Sequence, residues 1–276
     1  MPATVNPIAA MALLLGAFGG MMAGLLACRR RWRLHPEVVR KLLHVGMGLA
    51  ALSLPWLFEH AWPVIALTGV FVLLLIALRV LPILRVHFGS VIHGVERKSP
   101  GEIYFALGVG ALFLCSLDDP LLFSIPMLIL TLADAAAGLT GLYYGRLHYA
   151  AAAEEKSIEG SSAFFMTAFL ITQTALLLFT EIGRVETLLI ALTAGLSLTL
   201  LEAVAGNGLD NLLIPLAAFL LLKTCLDMDA PELAACFGVS LVLTVFMLFW
   251  LRRRFAGRAD SRLSVLRPSR GPAHSM

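Results

Sequence analysis

Nine apolar runs follow one another along the chain, at 8–28, 41–58, 61–79, 103–117, 121–145, 162–180, 186–205, 211–228 and 232–251. A helix crossing the hydrocarbon core of a bilayer needs about 20 such residues, within a range of roughly 17–25. Only 14% of the residues are charged, against about 25% in an ordinary soluble domain. The chain therefore reads as an all-α, polytopic integral membrane bundle of about nine transmembrane helices, forming a single domain over 1–251. The fourth run is short, which implies a tilted helix or one that begins deeper in the protein. Residues 252–276 form a basic tail rich in Ser and Pro, expected to be disordered.

The first 28 residues hold no Lys or Arg, and the first run is followed by RRRWR. A secretory leader has the opposite charge order and a shorter apolar stretch, so 8–28 reads as a retained span. Leu25-Leu26-Ala27-Cys28 loosely resembles a lipoprotein cleavage box, but no basic residue precedes it and four arginines follow. Cys28, Cys115, Cys225 and Cys236 have neither CxxC nor metal-ligand spacing and read as small buried hydrophobes.

Loop charge predicts the orientation. Of the 21 Lys and Arg residues, nineteen fall in alternate connections or the tail, Arg184 alone falls on the other side, and Lys223 lies within a span, where it snorkels or pairs. Eight acids (Glu59, Asp118, Asp119, Glu181, Glu186, Asp227, Asp229 and Glu232) cluster on the side poor in basic residues. The positive-inside rule then places the N-terminus outside and the C-terminus in the cytoplasm. On that topology five polar clusters share the cytoplasmic face: RKLLH (40–44), GE (101–102), a glycine series ending at Arg146, KSIEGS (156–161), and Glu202 through Asn211.

Asp134 is the most demanding of these residues, because it follows an apolar run bound for the bilayer. A charge near the bilayer centre costs at least about 2.5–3.5 kcal/mol, so such groups usually face a cavity and carry function. Gly138, Gly141 and Gly145 keep to the same helix face and are open to a second reading as a close-packing seam. In KSIEGS, Ser157 or Ser161 can cap a helix with Glu159 in its first turn. The same stretch also suits phosphate, through free helix N–H groups, the Lys156 charge and the close approach allowed by Gly160. Asp210 and Asn211 are open to reading as caps of the eighth helix, or Asp210 and Glu202 as carboxylates placed to hold Mg²⁺ beside phosphate. Arg40 and Lys41 are either topology anchors or site residues, while His44, one turn deeper, needs a partner. Glu102 opens the short fourth span on the same face.

The order of these motifs is similar to one family. R-K-x-x-H opens the second helix, G-E precedes the fourth, and D-x6-G-x3-G closes the fifth. K-S-x-E-G-S follows in the loop, and Glu202, Asp210, Asn211 and Pro215 complete the series across the seventh turn. Over about residues 36–250 the chain resembles the phytol kinase and dolichol kinase (polyprenol kinase) family of CTP-dependent lipid-alcohol kinases, distantly related to phosphatidate cytidylyltransferases. The resemblance implies transfer of the γ-phosphate of CTP to the hydroxyl of a phytol-, polyprenol- or dolichol-type isoprenoid alcohol, with Mg²⁺ or another divalent cation. It implies an active site facing the cytoplasm in a bacterial-type inner or cell membrane. Its partners are nucleotide and membrane lipid, not nucleic acid. The resulting expectations are Asp134 and Asp210 on metal, and Asp134, Lys156, Glu202 and His44 in catalysis. Arg40, Lys41, Gly141, Gly145, Lys156, Ser157, Glu159, Gly160, Ser161 and Asn211 are expected around the nucleotide. The alternatives are a cytidylyltransferase making a CDP-lipid and a membrane transporter. A single Lys156 before Ser157 favours the kinase over the longer basic motif of the cytidylyltransferases, and no pair of broken helices in related halves supports transport. The alanine-rich RLHYAAAAEE (146–155) carries no reading of its own.

Overall fold

The computed structural model of the protein describes residues 6–80, 100–151 and 154–265. Its helices are α1 (Pro7–Trp32), α2 (Pro36–Ala51), the single turn α3 (Leu54–Leu57), α4 (Ala61–Val80), α5 (Gly101–Cys115) and α6 (Pro120–Leu128). A π-helical turn, Ile129–Ala133, joins α6 to α7 (Asp134–Tyr144). An antiparallel hairpin follows, β1 (His148–Ala151) with β2 (Glu154–Ser157), and then α8 (Ile158–Phe179), α9 (Arg184–Val204), α10 (Asp210–Cys225) and α11 (Ala230–Val265).

The helix starts are written in the sequence. Asn6, His35 and Asp119 each accept a backbone N–H of the following first turn, and each is followed by Pro at the first helical position. A polar cap satisfies an orphan donor, while proline there loses nothing because its missing N–H has no partner in any case. Asn207 and Gly208 both adopt positive φ, 57° and 80°, and turn the chain between α9 and α10.

Each apolar run is helical, and among the described residues seven helical segments are long and apolar enough to cross a membrane. The other two, α5 and α10, have 15 and 16 residues, short of a full crossing. They pack against each other: a Cβ on Gly108 would come within 2.5 Å of the Asn211 carbonyl oxygen. The shortness expected of the fourth run thus extends to the eighth, and two short helices serve as each other's partners.

The α6–α7 segment is the axis of the bundle. Of its most apolar window 56% is buried, against 11% for α11. Phe123, Ile125, Met127, Ile129 and Leu130 are fully enclosed. Pro126 withholds a backbone donor inside α6, and the π turn follows within three residues. Gly48 of α2 lies against Thr131 in that turn, closely enough to exclude any side chain. Lys223 of α10 lies over the Phe219 ring, 5.6 Å from its centroid. The last helix runs on through Val265, into the tail expected to be disordered, and residues 266–276 lie outside the described residues.

Candidate active site

The start of α2, the end of α7, the hairpin, the end of α9 and the start of α10 converge at one end of the bundle. They enclose a cleft of about 330 Å³. Arg40, Lys41, Asp134, Lys156, Glu202 and Asp210 all line it.

The first centre of the cleft joins α2 to α7. Lys41 Nζ lies 2.7 Å from Asp134 Oδ2 and donates also to the Asp134 carbonyl at 3.0 Å. Both side chains are withdrawn from water, at 5% and 13% exposure. Gly138 makes room for the lysine, whose Cε occupies the place a Cβ would take. The glycine series is therefore partly about packing a charged stem. His44 Nε2 donates to the Leu130 carbonyl at 3.1 Å, which fixes the proton on that nitrogen, and lies 3.4 Å from Asp134 Oδ2. The π turn presents that carbonyl and aims Asp134 inward; such turns recur at functional sites. Arg40 pairs with Glu37 one turn earlier, at 2.6 Å, and the Glu102 carboxylate acts on it electrostatically.

The second centre joins the hairpin to α9. Lys156 Nζ lies 2.6 Å from Glu202 Oε1 and contacts the Glu202 carbonyl as well. Ser161 Oγ reaches Glu202 Oε2 at a long 3.5 Å, and Tyr149 OH meets Ser161 Oγ at 2.6 Å. Burial, and then the Glu202 charge, push the Tyr149 phenol up to about 12, so it remains a neutral hydroxyl.

Ser157 caps α8, its Oγ accepting from Gly160 N–H at 3.0 Å. The Ile158 N–H donates to the Leu147 carbonyl at 2.9 Å. The free donors expected at this helix start are therefore largely taken, and the anion-binding capacity of KSIEGS rests on Lys156. Gly141, Gly145 and Gly160 bring α7 against the Ser157 turn: a Cβ on Gly160 would lie 2.9 Å from the Ala137 carbonyl oxygen, and one on Gly141 would lie 3.1 Å from Ser157 Oγ.

Among the described residues no group of three or more His, Cys, Asp or Glu is disposed to hold a metal ion. Asp134 and Asp210 nevertheless share the cleft, and their charges act on each other. Two carboxylates suit a hard cation that completes its shell with water and phosphate oxygens, as Mg²⁺ does.

Of the residues predicted for the site, ten line the cleft: Arg40, Lys41, Asp134, Gly141, Lys156, Ser157, Gly160, Ser161, Glu202 and Asp210. His44 stands behind Asp134 rather than in the cleft. Asn211 is buried, its Nδ2 donating to the Gly101 carbonyl at 3.1 Å, so it holds α10 to α5. Glu159 accepts from the Leu147 N–H, and Gly145 packs against Ser157. His35, Glu37, His148 and Glu155 line the cleft without having been singled out. Glu37 was legible as the i,i+3 partner of Arg40. His148 and Glu155 depend on a hairpin that the alanine-rich stretch does not announce.

No family model matches the chain, and no solved structure matches it. A phytol kinase from Synechocystis sp. (strain ATCC 27184 / PCC 6803 / Kazusa) is 34% identical over 188 residues, covering 67% of this chain and 78% of the relative.

Proposed function

The chain belongs to the phytol kinase family of lipid-alcohol kinases, and from that premise we propose that it transfers the γ-phosphate of CTP to the hydroxyl of a membrane isoprenoid alcohol at the cytoplasmic interface. The observation that carries this reading is the pair of Lys–carboxylate centres, Lys41–Asp134 and Lys156–Glu202, facing one cleft at one end of an apolar bundle. Phosphoryl transfer asks a protein chiefly for positioning and for charge placed around the phosphates. A soluble nucleotide and a lipid-anchored hydroxyl can meet only at such an end.

In this reading Lys156 and Lys41 hold the triphosphate as point charges, with Arg40 at the rim. Asp134 and Asp210 would hold the divalent cation, which supplies neutralisation of charge on the phosphates. The alcohol oxygen bonds to the γ-phosphorus, the bond from that phosphorus to the β–γ bridging oxygen breaks, and CDP and a lipid phosphate result. The hydroxyl proton passes to Glu202 Oε2, whose one hydrogen bond among the described residues is the long contact to Ser161. His44 acts through Asp134 as a positioning residue, because its Nε2 proton is committed to Leu130.

The test is to incubate purified protein with γ-labelled CTP or ATP and with phytol, farnesol, a polyprenol or phosphatidic acid. Label in the lipid alcohol, strongest with CTP, is the expected result. Label released as pyrophosphate with phosphatidic acid indicates CDP-lipid synthesis instead, and no transfer from any nucleotide sinks the kinase reading for this chain.

A further inference from the structure

A second cavity, of about 140 Å³, lies deeper in the same bundle, between α1, α2, α4 and α5. Thr68 alone puts a polar side-chain atom in its lining. Its rungs on α2 are Gly46, Met47, Ala50 and Ala51, which continue from Lys41 and His44 away from the cleft. At 1.5 Å per residue they lie about 8–15 Å further along that helix than Lys41. On α5 the lining begins at Phe105, one turn beyond Gly101 at the cleft end, and runs to Val109. The cavity therefore extends from the reactive layer toward the opposite side.

Cavity and cleft meet at two rings. Phe105 lines the cavity and stands edge-on to His44, with centroids 5.0 Å apart. His44 Nε2 in turn lies 3.4 Å from Asp134 Oδ2. The apolar cavity ends two side chains from the central carboxylate of the cleft.

We propose that this cavity, close in volume to one that holds a benzene ring, seats a short length of the isoprenoid chain of the alcohol substrate, with the hydroxyl end reaching the cleft past Phe105 and His44 and the far end remaining in lipid. The inference rests on the lipid-alcohol kinase reading above and adds the place of the tail. An isoprenoid chain gains no hydrophobic transfer energy on leaving lipid for an apolar pocket, since binding within a bilayer rests on packing. What the pocket supplies is alignment. A chain gripped near its hydroxyl presents that hydroxyl to the phosphate in one geometry, which is worth far more to the reaction than to affinity. Met21 and Met47, unbranched and adaptable, suit a methyl-branched chain. The cleft itself is too highly charged to accept that chain.

The experiment places a photoreactive diazirine in a four-isoprene alcohol and maps its cross-links on the parent protein reconstituted in bilayer discs. Cross-links on 46–51 and 105–109 are expected, with excess phytol suppressing them and excess phospholipid having no effect. Ala106→Phe and Ala50→Phe, which fill the cavity away from the cleft, should raise the KM for a four-isoprene alcohol by about tenfold or more. Transfer to a single-isoprene alcohol should be nearly unchanged, a split that general misfolding does not produce. Cross-links confined to other surfaces, or suppression by phospholipid as effective as by phytol, would overturn the assignment even if both variants failed to fold. An unaltered chain-length profile in folded variants would overturn it as well, and in all these cases the kinase reading survives. Cavity cross-links in a parent protein that phosphorylates no alcohol would sink the kinase reading and, with it, the substrate role of this cavity.

Discussion

Asp134→Asn removes one charge from a pair whose other member has little access to water. Lys41 is 5% exposed and Asp134 13%, with 2.7 Å between them. Removing one partner of a buried ion pair costs about 3–5 kcal/mol, because the remaining charge is left uncompensated. Asp134→Asn should therefore lose both phosphate transfer and stability, and the single variant does not separate the two. Lys41→Met/Asp134→Asn does separate them. With both charges gone the penalties do not add, and stability should return to within about 1–2 kcal/mol of the parent. Activity should stay down by about 10²–10³-fold, the usual loss when one preorganised charge-stabilising group is removed. The assay is unfolding in a single detergent, alongside label transferred to the alcohol per folded molecule. Asp118→Asn, in the turn between α5 and α6 at the other end of the bundle, should match the parent in both. A double variant that recovers more than about a tenth of parental turnover would refute a catalytic charge at Asp134. A single variant as stable as the parent would refute the buried-pair argument.

Lys156→Ala should raise the apparent KM for CTP much more than that for the alcohol, since Lys156 lines the cleft proposed for the nucleotide and not the apolar cavity; an altered alcohol constant with an unchanged CTP constant would remove it from the proposed nucleotide site. CTP should bind measurably more weakly without a divalent cation than with one, as read by calorimetry on the purified protein, and equal affinities would exclude a shared metal–nucleotide site. An absorbance titration should show one phenol titrating near 12 instead of the ordinary 10.0, and Tyr149→Phe should delete that step. Because the folded value is the higher, the stability this phenol contributes is whole below pH 10 and is lost as the pH rises from 10 to about 12; all phenols titrating together would refute the buried network. A reporter fused after Met276 should be cytoplasmic and a cysteine at Asp118 labelled only from outside, and labelling of that cysteine from the cytoplasm alone would invert the topology.

The helices were legible because a span must be long and apolar whatever it packs against; the caps at Asn6, His35 and Asp119 were not read, and α2 accordingly begins at Pro36 and not at 41. The π turn was not legible, since nothing in ILTLA (129–133) distinguishes a widened turn from an ordinary one until Thr131 meets Gly48. The mutual packing of α5 and α10 likewise depends on Gly108 meeting Asn211, more than a hundred residues away in the chain. The site shows the same division. Residue types that are costly in a membrane, such as Asp134 and Glu202, declared themselves one at a time. Their pairings did not, because Lys41 and Asp134 are 93 positions apart and Lys156 and Glu202 are 46 apart. His148 and Glu155 escaped notice because the alanines between them carry no turn signal for the hairpin that pairs His148 with Ser157 and buries Tyr149.

Those long-range pairings also explain how so charged a cleft is held inside an apolar bundle. Lys41 with Asp134, Lys156 with Glu202 and Arg40 with Glu37 offset one another, so neither lysine that lines the cleft is left without a carboxylate. The same compensation sets a condition on binding. A triphosphate can take a lysine only from the carboxylate that already holds it, and that carboxylate then needs a new partner. Under the proposed function a divalent cation would supply one at Asp134, beside Asp210. Phosphate and metal would then replace lysine and carboxylate as partners together, with little change in the total of buried charge. Under the proposed function Asp210, which like Glu155 lines the cleft and makes no ion pair with a lysine or arginine among the described residues, would be a carboxylate placed to meet the cation beside Asp134.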